Sequence, residues 1–392
     1  MAVGTAPAPV AAVVINPAKP AATLEVRRVL GETLHAVGYR TIWLETSARE
    51  TGAIQARLAV ASGARLVVAA GGDGTVRSVA AGLAGTGVEM GIMPLGTANL
   101  AARNLNLPLR RHAELARIVA SGRAAPTDLL WVRTEAAGHT GLLHAHGGDV
   151  APGANSQGPD GGPRIRTGTA PAAEQAGVDT HAADVAEPPQ GWARPTLGDE
   201  HACLVVAGIG FDVGLVASTR PALKERLSWG AYGIAALENL GRRRLDLVLG
   251  IANGRMSAAV PEAQVVLPAP PQATRTERMM ARSLLIANGG RLPAGITLLP
   301  DARLDDGLLD VAAIDTLYGL WGWASLARQV LPPRPASYST GGAAQVLLRR
   351  GREATVWLDR PAAVEVDGDL VAPTRGVRVR VQPGALRVRR PA

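Results

Sequence analysis

The apolar run Leu66 to Ala70 stops at Gly71-Gly72-Asp73-Gly74-Thr75, and this junction constrains the fold more than any other stretch. An apolar run without alternation predicts a strand covered on both faces, the habit of parallel sheets. The glycines break it, and the spacing from Thr75 to Leu83 predicts a helix directly after. The same rhythm holds on either side. Val10 to Ile15 reads as a strand stopped by Asn16-Pro17, and Thr23 to Val37 as a helix closed by Gly38. Strand Thr41 to Leu44, helix Glu50 to Ala61 and strand Val88 to Met93 follow, the last ended by Pro94. A short helix, Pro108, a helix from Arg111 to Val119 and a strand near Asp128 to Arg133 complete the series. Strands alternating with helices predict a parallel α/β sheet with right-handed crossovers, here an N-terminal α/β domain over residues 1–133.

The rhythm then fails. Residues 136–200 are rich in Gly, Pro, Ala and polar groups without a period, and are expected to be a disordered insertion. Their histidines, His139, His144, His146 and His181, with His201 just beyond, read as solvated side chains more readily than as metal ligands. Over residues 201–392 short apolar runs recur between Gly, Pro and Asp: Cys203 to Ala207, Leu245 to Gly250, Val265 to Leu267, Ser283 to Ala287, Leu309 to Ile314, Gln345 to Leu348, Ala354 to Leu358, Val377 to Val381 and Ala385 to Val388. They predict a C-terminal, antiparallel β-rich domain. Ala222 to Leu240 and Leu317 to Val330 read as helices, and residues 268–282 as a second loose loop.

Composition narrows the class. A chain of 392 residues suggests about two domains, and its 47% hydrophobic content excludes global disorder. The lone Cys203 excludes an intrachain disulfide and a cysteine-built zinc site, and fits a reducing compartment. No uncharged apolar run reaches the ~18 residues of a membrane-spanning helix, and no charged segment precedes the first apolar run as in a secretory signal. A cytoplasmic protein is therefore expected. A net charge of +8 favours anionic partners. Nucleic acid is not among those expected, since no helix-turn-helix, zinc finger or aromatic-basic platform is visible. Arg378, Arg380, Arg387, Arg389 and Arg390 form a polar stripe that suits either anionic lipid heads or plain solvation.

Consecutive glycines let backbone N–H groups converge on one point, and the helix that follows adds its positive dipole end. Residues 71–75 therefore predict a phosphate cradle. An acid inside such a loop repels phosphate unless it organises a cation or its water, so Asp73 is a candidate for Mg²⁺. The bland alternative is a tight turn with Asp73 capping the helix. A second strand ends in Pro94-Leu95-Gly96-Thr97-Ala98-Asn99, again before a helix. In a parallel sheet both loops lie at one edge, where ligands bind. Neither loop is a Walker A motif or a Gly-x-Gly-x-x-Gly fingerprint.

These two blocks resemble the catalytic domain of diacylglycerol kinases and related bacterial lipid kinases, a group that includes sphingosine and ceramide kinases. Further blocks agree in order: Val14-Ile15-Asn16-Pro17-Ala18-Lys19, Arg103 to Pro108, Gly208-Ile209-Gly210-Phe211-Asp212, Pro300 to Val311, and Val364-Glu365-Val366-Asp367-Gly368-Asp369. The resemblance implies an α/β nucleotide lobe, a β-rich lobe and an active site between them. It implies ATP at Gly71, Gly72, Asp73, Gly74, Thr75, Val76 and Arg77, with Gly96, Thr97, Asn99 and Thr46, and with Asn16 and Lys19 nearby. It implies that Asp367 is the base that takes a proton from a lipid hydroxyl, with Asp73 and Asp369 in the same catalytic set. Taken alone, Asp367-Gly368 reads as a hairpin turn. Asp306, with the backbone carbonyls of Arg303 and Leu308, resembles the family's structural Mg²⁺ site, and Asp128 stands where the family often has an acidic residue, in a water network around Mg²⁺.

Two departures stand out. Asn99 is followed by Leu100 where the family commonly has Asp, and Asp369 replaces a Glu. The expected activity is transfer of the ATP γ-phosphoryl group to a lipid, diacylglycerol first, at the inner face of a membrane by peripheral association. A homodimer is compatible with this. The alternatives are a soluble-acceptor kinase of the NAD kinase type and a nucleotide sensor without turnover. Trp229, Tyr232, Tyr318, Trp321 and Trp323 are candidates for a membrane-facing mouth, though core burial suits them as well.

Overall fold

The computed structural model of the chain describes residues 7–109, 111–135, 192–210, 244–252, 275–291, 297, 299–316 and 344–391. Four strands, β1 (Val10–Ile15), β2 (Arg40–Glu45), β3 (Ala64–Gly71) and β4 (Glu89–Pro94), run parallel in the order β2-β1-β3-β4. The apolar runs of β1, β3 and β4 are buried, and that of the edge strand β2 partly so, because α1 (Leu24–Ala36), α2 (Ala53–Ala61), α3 (Asp73–Leu83) and α5 (His112–Ser121) pack on the sheet, with the short α4 (Leu100–Asn104) after β4. In α1 the Thr23 hydroxyl accepts the Val26 N–H at 3.3 Å, and Val26, Leu30 and Leu34 bury one stripe. The α2 helix starts at Ala53 rather than Glu50. The Ser47 hydroxyl accepts the Glu50 N–H, and Gly52 resets the chain at a φ of 137°. Helix α3 lies deepest, with every residue from Thr75 to Leu83 buried. A Cβ on Gly82 would stand 2.5 Å from the Ala53 carbonyl oxygen, so glycine there permits the close approach of α2 and α3.

The β-rich part contains β5 (Arg123–Thr134), β6 (Glu200–Cys203), β7 (Val206–Gly210), β8 (Leu245–Ala252), β9 (Arg275–Ala281), β10 (Ser283–Ala287), β11 (Leu309–Thr316), β12 (Ala344–Gly351), β13 (Glu353–Val366) and β14 (Asp369–Arg390). Antiparallel pairing runs β12-β11-β10-β7-β13-β14, with β5 and β6 attached through β14, and β8 and β9 through β13. A second apolar cluster, including Leu130, Ile209, Leu249, Ile286, Val356 and Val379, fills this part. The expected class, parallel α/β plus antiparallel β, is the one observed.

Several boundaries differ from expectation. One strand reaches across the expected boundary at residue 133. Arg387 and Val388 of β14 pair in parallel with Glu89 and Met90 of β4, and β14 joins both halves into one mixed sheet. Buried Arg389 fixes the junction, binding Glu89 at 2.8 Å, the Val119 and Ala120 carbonyls at 2.6 Å and the Tyr39 hydroxyl at 2.8 Å. The runs 377–381 and 385–388 form a single strand because Pro383-Gly384 makes a bulge instead of a turn. Residues 275–281 form β9 where a loose loop was expected over 268–282; alternating exposed charges on an edge strand hide its period. The end of the expected insertion, residues 192–200, is described and leads into β6.

Residues 136–191 lie outside the described set with their four histidines. So do the helices expected at 222–240 and 317–330, the strand at 265–267 and the five aromatic candidates. The arginine stripe is mostly consumed internally. Arg378 pairs with Glu353, Arg380 with Glu200, Arg389 with Glu89 and Arg390 with Asp305, leaving Arg387 exposed. Four of the five arginines are thus engaged in ion pairs within the protein, a role that neither alternative named.

Candidate active site

Gly71 and Pro94 are register partners, so β3 and β4 end side by side and their loops meet. The approach is tight. A Cβ on Gly96 would lie 2.7 Å from the Gly72 Cα, and one on Gly71 would lie 2.6 Å from the Thr75 Cβ and Oγ1. Asn99 adopts a left-handed φ of 49°, which Asn tolerates better than most residues. Its Oδ1 accepts the Gly96 N–H at 3.0 Å and its Nδ2 donates to the Gly96 carbonyl at 2.7 Å. Gly96→Ala should therefore push the loops apart. We expect the KM for ATP to rise by about tenfold or more, and an unchanged KM would show that the two loops do not act as one cradle.

Asp73 stitches these loops together. Its Oδ2 accepts the Asn99 N–H at 2.9 Å and its Oδ1 the Leu100 N–H at 2.6 Å. It does not cap its own helix, as the bland alternative had it; it holds the start of α4. Lys19 lies over the glycines, with Nζ 3.5 Å from where a Gly72 Cβ would be. The Asn16 Nδ2 is 3.5 Å from the Thr75 hydroxyl, which makes only a marginal hydrogen bond. Thr46 is buried just past β2, its N–H on the Ile15 carbonyl, while Thr97 is exposed on the rim. The Val76 side chain is buried in the core, so a nucleotide could meet only its backbone.

Opposite this edge, β13 and β14 are joined by Asp367 and Gly368, at φ 48° and 93°, a two-residue primed turn. The hairpin reading and the site reading thus describe one object. The two carboxylates of the turn differ in kind. Asp367 is only 5% exposed. Its Oδ2 accepts the Leu204 N–H at 2.7 Å, and its Oδ1 the Val205 and Val206 N–H groups at 2.9 and 3.0 Å. The Cys203 Sγ is 3.6 Å from Oδ1. This grip explains why the run Cys203 to Ala207 is two strands: the amides at the break serve a carboxylate instead of a ladder. The Asp369 side chain is 47% exposed, and its Oδ2 lies 3.0 Å from where a Gly74 Cβ would be. It therefore stands directly above the glycine loop. Glu365 accepts the Gly368 N–H and stiffens the turn.

Arg77 was expected among the nucleotide contacts, and its guanidinium is engaged elsewhere. Nη1 donates to the Val366 carbonyl at 2.6 Å and Nη2 to Asp369 Oδ2 at 2.8 Å. No sequence signal announces this contact, since its partners are 289 and 292 residues away. The amides of Leu204 to Val206 are equally invisible in sequence, because every residue carries one.

Burial pushes the Asp73 carboxyl up to about 6, and the charge of Asp367, then that of Asp369, adds to it against the two N–H bonds. Burial also raises Asp367, opposed by Arg77 and its three backbone donors. His201 is buried and driven down to about 4 by burial and by Arg77, so it is neutral at pH 7 and no solvated residue. For stability the sign follows from Asp73 binding its proton more tightly when folded. Its contribution is fully present below about 3.8 and is lost as pH rises through about 6. Relative to Asp73→Asn, the wild type should lose ~2 kcal/mol of stability between pH 4 and 7, a figure tempered for partial exposure. Denaturant melts of both proteins across that range check this, and parallel curves would contradict it.

Asp73 and half-exposed Asp369 offer hard oxygen donors that a divalent cation beside ATP phosphates would require, whereas Asp367 is buried with both oxygens engaged. Among the described residues no group of three His, Cys, Asp or Glu side chains is placed to hold an ion alone, so phosphate and water would complete its shell. At the second expected site, Asp306 Oδ1 accepts the Leu308 N–H at 3.0 Å and Oδ2 faces Arg350 at 3.6 Å. Arg303 points its guanidinium to Asp305 at 3.5 Å. Buried Asp128 ties this loop to β14, accepting the Gly307 and Gly384 N–H groups at 2.7 Å each.

A glycine cradle on a parallel sheet, faced by carboxylates on an antiparallel hairpin, defines a two-lobed phosphoryl-transfer fold. The comparisons agree. Residues 10–132 match the diacylglycerol kinase catalytic domain, and residues 203–390 match the YegS C-terminal NAD kinase beta sandwich-like domain. The chain belongs to the diacylglycerol kinase family and is a lipid kinase of that family. A relative named "Probable lipid kinase YegS-like" from Xanthomonas axonopodis pv. citri (strain 306) is 29% identical over 344 residues, 85% of this chain and 81% of its own. One of the same name from Pseudomonas aeruginosa PAO1 is 28% identical over 383 residues, 95% of this chain and 92% of its own. A solved structure described as a diacylglycerol kinase from Bacillus anthracis str. Sterne shares the fold, with a TM-score of 0.57 at 14% identity, covering 97% of this chain and 96% of that one. Among the described residues no helix is long and apolar enough to cross a membrane.

Proposed function

We propose that the protein transfers the γ-phosphoryl group of ATP to a lipid hydroxyl, with diacylglycerol as the first acceptor and phosphatidic acid as the product. The observation that carries this reading is the Asp367–Asp369 turn facing the glycine loop across the two lobes. The loop N–H groups, the start of α3 and Lys19 bind the phosphates. Mg²⁺ held near Asp73 would neutralise charge on the phosphoryl oxygens. The lipid oxygen attacks phosphorus, the bond to the bridging oxygen breaks and ADP leaves. The hydroxyl proton passes to a carboxylate of the turn.

The resemblance assigned that proton to Asp367; the geometry favours Asp369. Asp367 is buried with both oxygens already accepting backbone N–H groups, whereas Asp369 is half-exposed above the loop. Asp367 is then the anchor of the turn. Asp306, with the carbonyls of Arg303 and Leu308, would hold a second, structural Mg²⁺ in place of the Arg350 contact. Access to a lipid implies peripheral binding to a membrane surface.

The test is transfer of labelled γ-phosphate, with Mg²⁺, to diacylglycerol, monoacylglycerol, ceramide and sphingosine in mixed micelles, and to NAD in buffer. Label on diacylglycerol supports the reading. Label on another lipid keeps the class and changes the acceptor, and label on NAD alone removes the lipid reading. ATP binding without any transfer would favour a nucleotide sensor.

A further inference from the structure

Arg77 is a cation in a place that burial makes costly. Its side chain is 5% exposed, and its Nε is buried without a hydrogen-bond partner. A buried charge is costly unless it is paired and hydrogen-bonded, and the fixed fork of an arginine can hold two partners at once. What it holds is the turn. Nη1 takes the Val366 carbonyl, one residue before Asp367, and Nη2 takes the Asp369 carboxylate. The guanidinium therefore grips the hairpin on both sides of Asp367-Gly368. Arg77 itself is rigid, because it projects from the first turns of α3, the most deeply buried helix and the one whose start forms the phosphate cradle.

We infer that Arg77 is a positioning residue that locks Asp369 over the glycine loop, making the phosphate cradle and the proton acceptor parts of one rigid unit. It sets the distance between the γ-phosphate and the acceptor hydroxyl without touching either. This rests on the kinase reading above and adds a role that neither the glycine motif nor the hairpin motif contains.

The test compares wild type with Arg77→Gln, Arg77→Lys, Asp369→Asn and the double variant Arg77→Gln/Asp369→Asn. Turnover on the preferred lipid, KM for ATP, binding of ATP at equilibrium and melting temperature are read for each. A displaced reacting group costs about 100-fold. Arg77→Gln should lower kcat by about that factor, with KM and binding of ATP within about threefold of wild type. Arg77→Lys, which can hold the carboxylate or the carbonyl but not both, should recover about tenfold. Adding Arg77→Gln to Asp369→Asn should cost less than threefold more, since the object being positioned is gone.

A rise in KM for ATP with kcat preserved would overturn the inference and return Arg77 to the nucleotide. So would additive losses in the double variant. If Arg77→Gln fails to fold, Arg77→Lys carries the comparison, and near-normal kcat in it with independent losses in its own double variant overturns the inference equally. Absence of transfer by the wild type to any acceptor would instead bring down the kinase reading, and this inference with it.

Discussion

Asp369→Asn should reduce phosphoryl transfer by about 10²–10⁴-fold while ATP binds as before. An amide cannot take the proton that an alcohol loses as its oxygen attacks phosphorus. The protein should remain folded, because the side chain is half-exposed and the Asn oxygen can still accept from Arg77. The measurement is turnover and ATP affinity on the same preparation. Turnover within threefold of wild type would remove Asp369 as the base. A loss of ATP affinity equal to the loss of turnover would move it to nucleotide binding.

Asp367→Ala should fail differently. Three N–H groups, from Leu204, Val205 and Val206, would lose their acceptor in a buried place. Each orphaned donor costs about 1–3 kcal/mol, offset by relief of the buried charge, so a net loss on the order of 3 kcal/mol is expected. For a chain of this length that corresponds to a fall in melting temperature of about 4 °C. Turnover falls as well, since the turn that carries Asp369 is released. The contrast between the two aspartates is the informative result: one variant is stable and inactive, the other unstable and inactive. A stable, inactive Asp367→Ala beside an active Asp369→Asn would reverse the two roles and restore the assignment that the resemblance implied.

Much of the fold is legible in the sequence. The strands β1, β3 and β4 are continuous apolar runs, and a run that is apolar on both faces has few places to go except the middle of a sheet covered by helices. The glycine loop was legible for a related reason. A Cβ at Gly71 or Gly96 would collide, and sequence records such steric prohibitions directly as glycine. The C-terminal strands were visible as apolar runs, but their extents were not. Pro383-Gly384 looks like a turn and is a bulge, because pairing with β5 resumes beyond it. β9 looked like a loop because it carries charges along a sheet edge.

The active site divides the same way. Residues whose function depends on local chain geometry, the glycines, Asn99 and the Asp367-Gly368 turn, announce themselves through the conformations they alone tolerate. Residues whose function depends on a distant partner do not. Nothing near Arg77 says that it will grip a hairpin 292 residues later, and nothing near Leu204 to Val206 says that three amides will close on one carboxylate. The sequence by itself determined the α/β and β-rich halves, the glycine loop and the hairpin that faces it, because steric and burial constraints act residue by residue. Only the tertiary structure decided that β14 binds the halves into one sheet, and which aspartate of the turn is buried and which is half-exposed. Those outcomes depend on long-range packing, which fixes solvent access and hydrogen-bond partners after the local choices are made.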